Sequence, residues 1–421
     1  MKKISTLIAF AFISIMATAQ SLAWLKLPDF PGGERMLSTA FSINGKGYMG
    51  LGIDSAFQYH TDWYEYDPIA NAWTQKASLP AAARDHATGL VVDSFGFVIA
   101  GEVAGGATAE VWQYNPYSDT WTQKSNLPIA RENGAGFAVN GKLYYGTGFQ
   151  GTTNLVDFYE YTPGTNTWVA KANVPGGARA AGMGFSVNGK GYFGMGGNTN
   201  SHAYYNDFYE YDPIGNSWTQ KANYPIPTQN ANTYHSTNAG YILCGSFYQY
   251  SGITQNPLNL LYKYTPTTDT WNLEGSFPGL PRGAAGGFSI DKDIYIGAGS
   301  QSVNGADLIP GHTPFLQDFW KLALVIDSVA LSVDGGNGGE RRQQMVKLFP
   351  NPSNDVLNIS TDVLNTLSRI RIYDVSGKLV NELTVTNGNT QLDISKLSTG
   401  TYYAEMVTLN KEVLTGRFIK Q

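Results

Sequence analysis

Tryptophan recurs at Trp24, Trp73, Trp121, Trp168, Trp218 and Trp271, at spacings of 49, 48, 47, 50 and 53 residues. Ten or eleven residues after each comes Arg35, Arg84, Arg131, Arg179, Thr228 and Arg282. Six further on stand Phe41, Leu90, Phe137, Phe185, Tyr234 and Phe288, and seven beyond those an aromatic every time: Tyr48, Phe97, Tyr144, Tyr192, Tyr241 and Tyr295. Four more residues reach Gly52, Gly101, Gly148, Gly196, Gly245 and Gly299. A register held six times means that one structural unit of about 50 residues is stacked on itself, because no unit of that size buries its own faces alone.

Each unit reads as four short antiparallel strands. Asn44-Gly45, Asn140-Gly141 and Asn188-Gly189 supply the positive φ that a tight hairpin needs between the first two. The third strand alternates aromatic and polar residues, as in Asp62-Trp63-Tyr64-Glu65-Tyr66 and Asp207-Phe208-Tyr209-Glu210-Tyr211. Pro68, Pro116, Pro163, Pro213 or Pro266 marks the turn after it, and the tryptophan of the fourth strand follows five residues later. The sixth unit has Asp318-Phe319-Trp320 to begin its third strand but no proline turn and no tryptophan after Leu324. Trp24 is the missing strand, so the start of the chain is expected to pair with residues 318–324. Small twisted sheets that cover one another in a ring make an all-β, six-bladed β-propeller.

These motifs resemble the Kelch repeat over residues 22–324, with its arginine, its glycine-ending strand, its Tyr-Asp-Pro-like turn and its tryptophan. The second glycine of the usual pair survives fully only as Gly196-Gly197, and the fifth unit carries Thr228 for arginine and no Asp in its third strand. The resemblance implies a Kelch propeller. Such propellers serve as protein-binding modules, sugar-binding modules or enzymes, so chemistry has to be argued from a site.

Both ends of the chain read differently. Lys2 and Lys3 precede an apolar run from Ile4 to Met16, and Ala17-Thr18-Ala19 gives a small-x-small cut, so residues 1–19 are expected to be a secretory signal peptide. That run is too short to span a bilayer, and no later segment is long and apolar enough. Residues 20–324 form the expected propeller, 325–345 a polar glycine-rich linker, and 346–421 a small antiparallel β-sandwich. Phe349-Pro350-Asn351-Pro352, Tyr373-Asp374-Val375-Ser376-Gly377-Lys378, Leu397-Ser398-Thr399-Gly400-Thr401-Tyr402 and the basic terminus resemble the C-terminal sorting domain of the type IX secretion system. That implies export, recognition by the secretion machinery, and display at the cell surface.

Composition narrows the partners. Charged residues are 14% of the chain, the net charge is −5, and there is no Lys/Arg tract, which argues against nucleic acid. Cys244 is the one cysteine, expected as a small buried hydrophobe. The five histidines form no metal-binding motif, so neither metal nor cofactor is expected.

If the strands alternate direction, the loops between strands two and three share a face with the links between units. That face carries the length variation, at residues 53–61, 102–109, 149–156, 197–206, 246–259 and 300–317. Tyr59, His60, His202, Tyr205 and Tyr248 lie in those loops as stacking and hydrogen-bonding candidates for a carbohydrate or protein ligand. Arg35, Arg84, Arg131, Arg179 and Arg282 lie there too, as candidates for an anion-binding ring or, paired with backbone carbonyls or Glu34, Asp85 and Glu132, as ties between blades. Asp85-His86 is a further acid/base candidate, set against the rule that strand neighbours face opposite ways. The reading is therefore a secreted binding module acting through its variable-loop face. The alternative is a sugar-active enzyme of the acidic-sugar epimerase or mutarotase type, which calls for convergent carboxylates and a histidine at the channel mouth.

Overall fold

The structure, a computed structural model, describes residues 23–420 except 199, 202, 237–238, 249–254, 292, 302–314, 324–330, 333–342, 345, 350–354, 362–366, 375–377, 386–390 and 410–412. The expected signal peptide, His202 and most of the 325–345 linker lie outside the described residues.

Six four-stranded antiparallel sheets are the blades of a propeller. Blade one consists of Thr39–Ile43, Lys46–Gly50, Trp63–Asp67 and Ala72–Lys76, and the next four blades repeat this order. In the sixth, Gly286–Ile290, Asp293–Gly297 and Phe319–Ala323 come from the end of the propeller sequence, and Ala23–Leu27 supplies the outer strand. Trp24 stands opposite Leu322, and Lys26 opposite Trp320. The rings of Trp24 and Trp320 both meet Phe277 of the preceding link edge-on, at 4.9 and 5.6 Å. The expected hairpins are present, with Asn44, Asn140 and Asn188 at φ 52° and a positive-φ glycine after each.

Neighbouring blades fit by exchanging ring for hole. Phe41, Phe137, Phe185 and Phe288 lie over Gly96, Gly191, Gly240 and Gly47 of the next blade, where any Cβ would overlap the ring. Where the inner strand carries Leu90 instead, the facing position is Leu143 in the same buried cluster. The column of inner-strand aromatics read from the sequence is thus half of a complementary pair.

Main-chain hydrogen bonds then close the ring. Gly52, Gly101, Gly148, Gly196, Gly245 and Gly299 each donate an N–H to the carbonyl of Arg84, Arg131, Arg179, Thr228, Arg282 and Arg35 in the following blade, at 2.8–3.1 Å. Five outer-strand indoles add a second belt, Trp73 to Pro28, Trp121 to Ala77, Trp168 to Ser125, Trp218 to Ala172 and Trp271 to Ala222. The indole N–H of Trp24 is buried without a partner, at the seam opposite the bulged outer strand of blade five.

Cys244 lies just past a strand end at φ 61°, buried in a core with Tyr241, Leu243 and Leu261. Burial pushes its thiol up to about 12. The tail is a two-sheet sandwich: Val346–Phe349, Val356–Thr361 and Gln391–Asp393 in one sheet, Leu379–Thr384, Leu367–Asp374, Gly400–Thr408 and Val413–Lys420 in the other. Leu357, Ile359, Ile370, Ile372, Leu392 and Met406 are buried between them.

Two stability measurements check these contacts. Gly96→Leu should cost about 1–3 kcal/mol by overpacking against Phe41, and Phe41→Leu in the same chain should recover part of it, reproducing the Leu90/Leu143 pair. Trp24→Ala should lower stability by about 3 kcal/mol and open the sixth blade first, seen as early amide exchange in Phe319–Ala323.

Candidate functional site

The inner strands of all six blades wall a central channel of about 380 Å³, lined by Phe41, Leu90, Phe137, Phe185, Thr233 and Phe288 among others. Its mouth on the variable-loop face is a space of about 150 Å³ rimmed by Leu37, His86, Asn133, Ala181, Asn230 and Ala284. These six occupy one position in six blades, and all have φ between 50° and 59°. Backbone bonds link five of the six junctions around this rim: Leu37 to Ala284, Asn133 to His86, Ala181 to Asn133, Asn230 to Ala181 and Ala284 to Asn230.

The five arginines stand just behind that rim and are 0–1% exposed. Each guanidinium engages a carboxylate placed just before the third strand of its own blade: Asp62, Glu110, Asp157, Asp207 or Asp318, at 2.5–3.0 Å. Each also donates to a carbonyl sixteen residues on, that of Leu51, Ala100, Thr147, Met195 or Ala298. Burial opposes ionisation of Asp157 and Asp318, but the hydrogen bonds and charges of Arg131 and Arg282 outweigh it and hold both below the usual range. The carboxylates used are not the Glu34, Asp85 and Glu132 anticipated from sequence proximity. The guanidiniums tie strands within a blade, while the arginine carbonyls tie blades together. An anion arriving at the mouth therefore meets no free guanidinium from this set. Blade five lost both members together: Thr228 donates to Ile226, and Asn259 to Phe277.

The loop candidates divide. His60 is engaged with Asp54, Nε2 to Oδ2 at 3.0 Å, across a small hairpin. Tyr205 lies under the Arg179 guanidinium at 4.4 Å. Tyr248 ends the strand Ser246–Tyr248, and its side chain lies outside the described residues, as does His202. Tyr59 is half-buried and packs beside Met36, Ile53 and Leu37 at the rim. Burial, then the charges of Asp85, Glu102 and Glu132, push its phenol up to about 12.

Those three carboxyls are where the six-fold scaffold stops being symmetric. The residue after each inner arginine or its equivalent is Met36, Asp85, Glu132, Ala180, Gln229 or Gly283, and the residue after each strand-ending glycine is Ile53, Glu102, Phe149, Gly197, Ser246 or Ser300. Among these twelve positions only blades two and three carry acids, and they are neighbours. Asp85 and Glu102 pair directly through backbone bonds of 3.1 and 2.9 Å. His86 Nδ1 donates to Asp85 Oδ1 at 2.7 Å, with Glu102 Oε2 at 3.7 Å. Adjacent residues on a regular strand could not meet in this way. The left-handed conformation of His86, φ 50°, breaks the alternation and swings the two side chains together. Glu102 was not singled out in the sequence; comparing the residue after each strand-ending glycine across the repeats finds it.

His86 and Glu132 hold their protons more tightly than usual. Burial disfavours the imidazolium of His86, but the hydrogen bond to Asp85 and the charges of Asp85, Glu132 and Glu102 outweigh it and raise its pKa. Glu132 is pushed up to about 7 by burial and by the charge of the neighbouring Glu102. Asp85, His86 and Glu102 offer ligand atoms within 4.8 Å of one another, near enough for a cation. The donor set fits a metal poorly, because the Nδ1 that faces both carboxylates carries the proton it gives to Asp85.

Comparison with known proteins bears on both halves of the chain. Residues 347–421 match the family described as the secretion system C-terminal sorting domain. The chain is 32% identical over 93 residues to the N-acetylneuraminate epimerase of Pasteurella multocida (strain Pm70), covering 21% of this chain and 23% of that protein. It is 28% identical over 85 residues to the N-acetylneuraminate epimerase of Salmonella typhi, covering 19% and 22%. The chain thus matches less than a quarter of the length of these curated relatives. The solved structure titled "Structure of YjhT" superposes with a TM-score of 0.58 at 19% identity, covering 70% of this chain and 96% of that one, a likeness of fold. The protein is a β-propeller of the same fold as that structure and carries a type IX sorting tail, and that tail makes it a secreted or cell-surface protein.

The buried ion pairs can be tested without a ligand. Arg131→Ala should cost about 3–5 kcal/mol in a urea titration by stranding Asp157, whereas Arg131→Thr with Asp157→Asn, the blade-five arrangement, should cost clearly less.

Proposed function

We propose that this exported propeller acts on a reducing sugar by acid–base proton transfer at its channel mouth, in the manner of an epimerase or mutarotase. The observation that carries the reading is the His86–Asp85 contact at 2.7 Å with Glu102 and Glu132 beside it, on the rim of an open cavity. The local identity to two N-acetylneuraminate epimerases supports the same chemistry.

The step needs one group to take a proton and one to give it. Glu132, held at about 7, is poised to accept the proton of the anomeric hydroxyl near neutrality. His86, kept cationic by Asp85, donates to the ring oxygen. The bond between the anomeric carbon and the ring oxygen breaks and a carbonyl forms. After rotation about the adjacent carbon–carbon bond, the ring hydroxyl adds to the other face. Both protons then return, so the sugar changes configuration with nothing gained or lost. Tyr59 supplies an aromatic wall at the same place. A carbohydrate-binding module without chemistry is the second reading, and Tyr59 is the observation that favours it.

Anomer exchange of freshly dissolved N-acetylglucosamine, followed by NMR with the full chain, tests the proposal. Acceleration should rise with pH through about 7 as Glu132 ionises and fall once His86 loses its proton. Glu132→Gln and His86→Ala should each reduce it by about 100-fold or more. Exchange at the spontaneous rate for this sugar and for N-acetylneuraminate alike would refute catalysis. Glu132 also gives a readout independent of activity. Its folded pKa lies above its ordinary 4.5, so the stability it lends is complete below that value and is lost as pH rises through about 7. Glu132→Gln should remove that slope from the stability profile.

A further inference from the structure

The charge inventory of the variable-loop face is lopsided. The six loops between second and third strands, 53–61, 102–109, 149–156, 197–206, 246–259 and 300–317, contain neither lysine nor arginine. The six links between blades, 28–38, 77–87, 125–134, 172–182, 222–231 and 277–285, contain no lysine, and their arginines are Arg35, Arg84, Arg131, Arg179 and Arg282 alone. All five of those are buried and matched to a carboxylate of their own blade. Lys76, Lys124, Lys171 and Lys221 end the outermost strands, three strand spacings from the channel, about 14 Å. At physiological salt that exceeds the ~8 Å over which exposed charges act on one another.

Beside His86, which lines the mouth, stand three carboxyls, Asp85, Glu102 and Glu132, against that one imidazole. An acidic sugar placed there would set its carboxylate among like charges with no guanidinium or ammonium to receive it. The buried guanidiniums cannot turn outward to help, since doing so would strand their partners inside the blades.

From this we infer that the channel mouth takes a hexose carrying no negative charge and turns acidic sugars away. This rests on the reading of the mouth as the sugar site. It sets the substrate class apart from the acidic sugar that the arginine ring suggested. Neutral and ammonium-bearing hexoses share the required property, and the mouth's field favours the second at low salt.

Binding and anomer exchange of glucosamine, N-acetylglucosamine and N-acetylneuraminate, measured with the full chain at low salt and at 0.5 M salt, separate the possibilities. N-acetylneuraminate should bind at least about tenfold more weakly than either other sugar at low salt, with the gap narrowing at high salt. A double Glu102→Gln, Glu132→Gln variant should narrow it further. Tighter binding of glucosamine than of N-acetylglucosamine at low salt would point to the ammonium sugars. Equal or tighter binding of N-acetylneuraminate overturns the inference, as does failure of all three to bind. Binding in the expected order with no acceleration of exchange would retire the catalytic reading and leave the charge preference standing.

Discussion

Five of the six blades are anchored by a guanidinium sealed at the foot of the inner strand. The side chain grips the carboxylate that opens the third strand and a carbonyl at the end of the second, while the arginine's own carbonyl receives the glycine N–H of the blade before. One residue thus fixes three strands of its sheet and one junction of the ring. Burying such a pair gives little net stability compared with a well-packed apolar replacement, but losing half of it is severe. That asymmetry accounts for blade five, where Thr228 and Asn259 replaced both partners and the main-chain bond from Gly196 to Thr228 was kept.

A scaffold that repeats six times offers the same rim positions six times. The channel mouth uses this by placing acids and a histidine in two adjacent blades and uncharged residues in the rest. The left-handed turn behind the rim is shared by Leu37, Ala181 and Ala284, which have no chemistry to offer, so the turn belongs to the architecture. What differs is the residue hung on it. At His86 the turn brings an imidazole onto the preceding carboxylate, and the next blade adds Glu132.

Much of the fold was legible because repetition multiplies weak signals. The tryptophan column, the aromatic and glycine columns and the orphan Trp24 together gave the number of blades and the pairing of Ala23–Leu27 with Phe319–Ala323. The Asn-Gly turns and the tail motifs were equally local. The site was less legible, for two physical reasons. The carboxylate partner of each arginine lies 26 to 36 residues away, so proximity in sequence pointed to Glu34, Asp85 and Glu132. The contact between Asp85 and His86 depends on a backbone conformation that no residue preference announces, given that leucine and alanine adopt it elsewhere in the ring. Freed from the arginines, Asp85 and Glu132 became available for the mouth.

The seam in blade six has a temporal side. Its outer strand leaves the ribosome first, and the strand it must grip is made almost three hundred residues later, so five finished sheets have to wait as an open arc. Until then the aromatic faces at both ends of the arc have no cover. An intermediate of that kind is prone to association, and transit to the outside is safest when the last junction snaps shut soon after the final strand arrives.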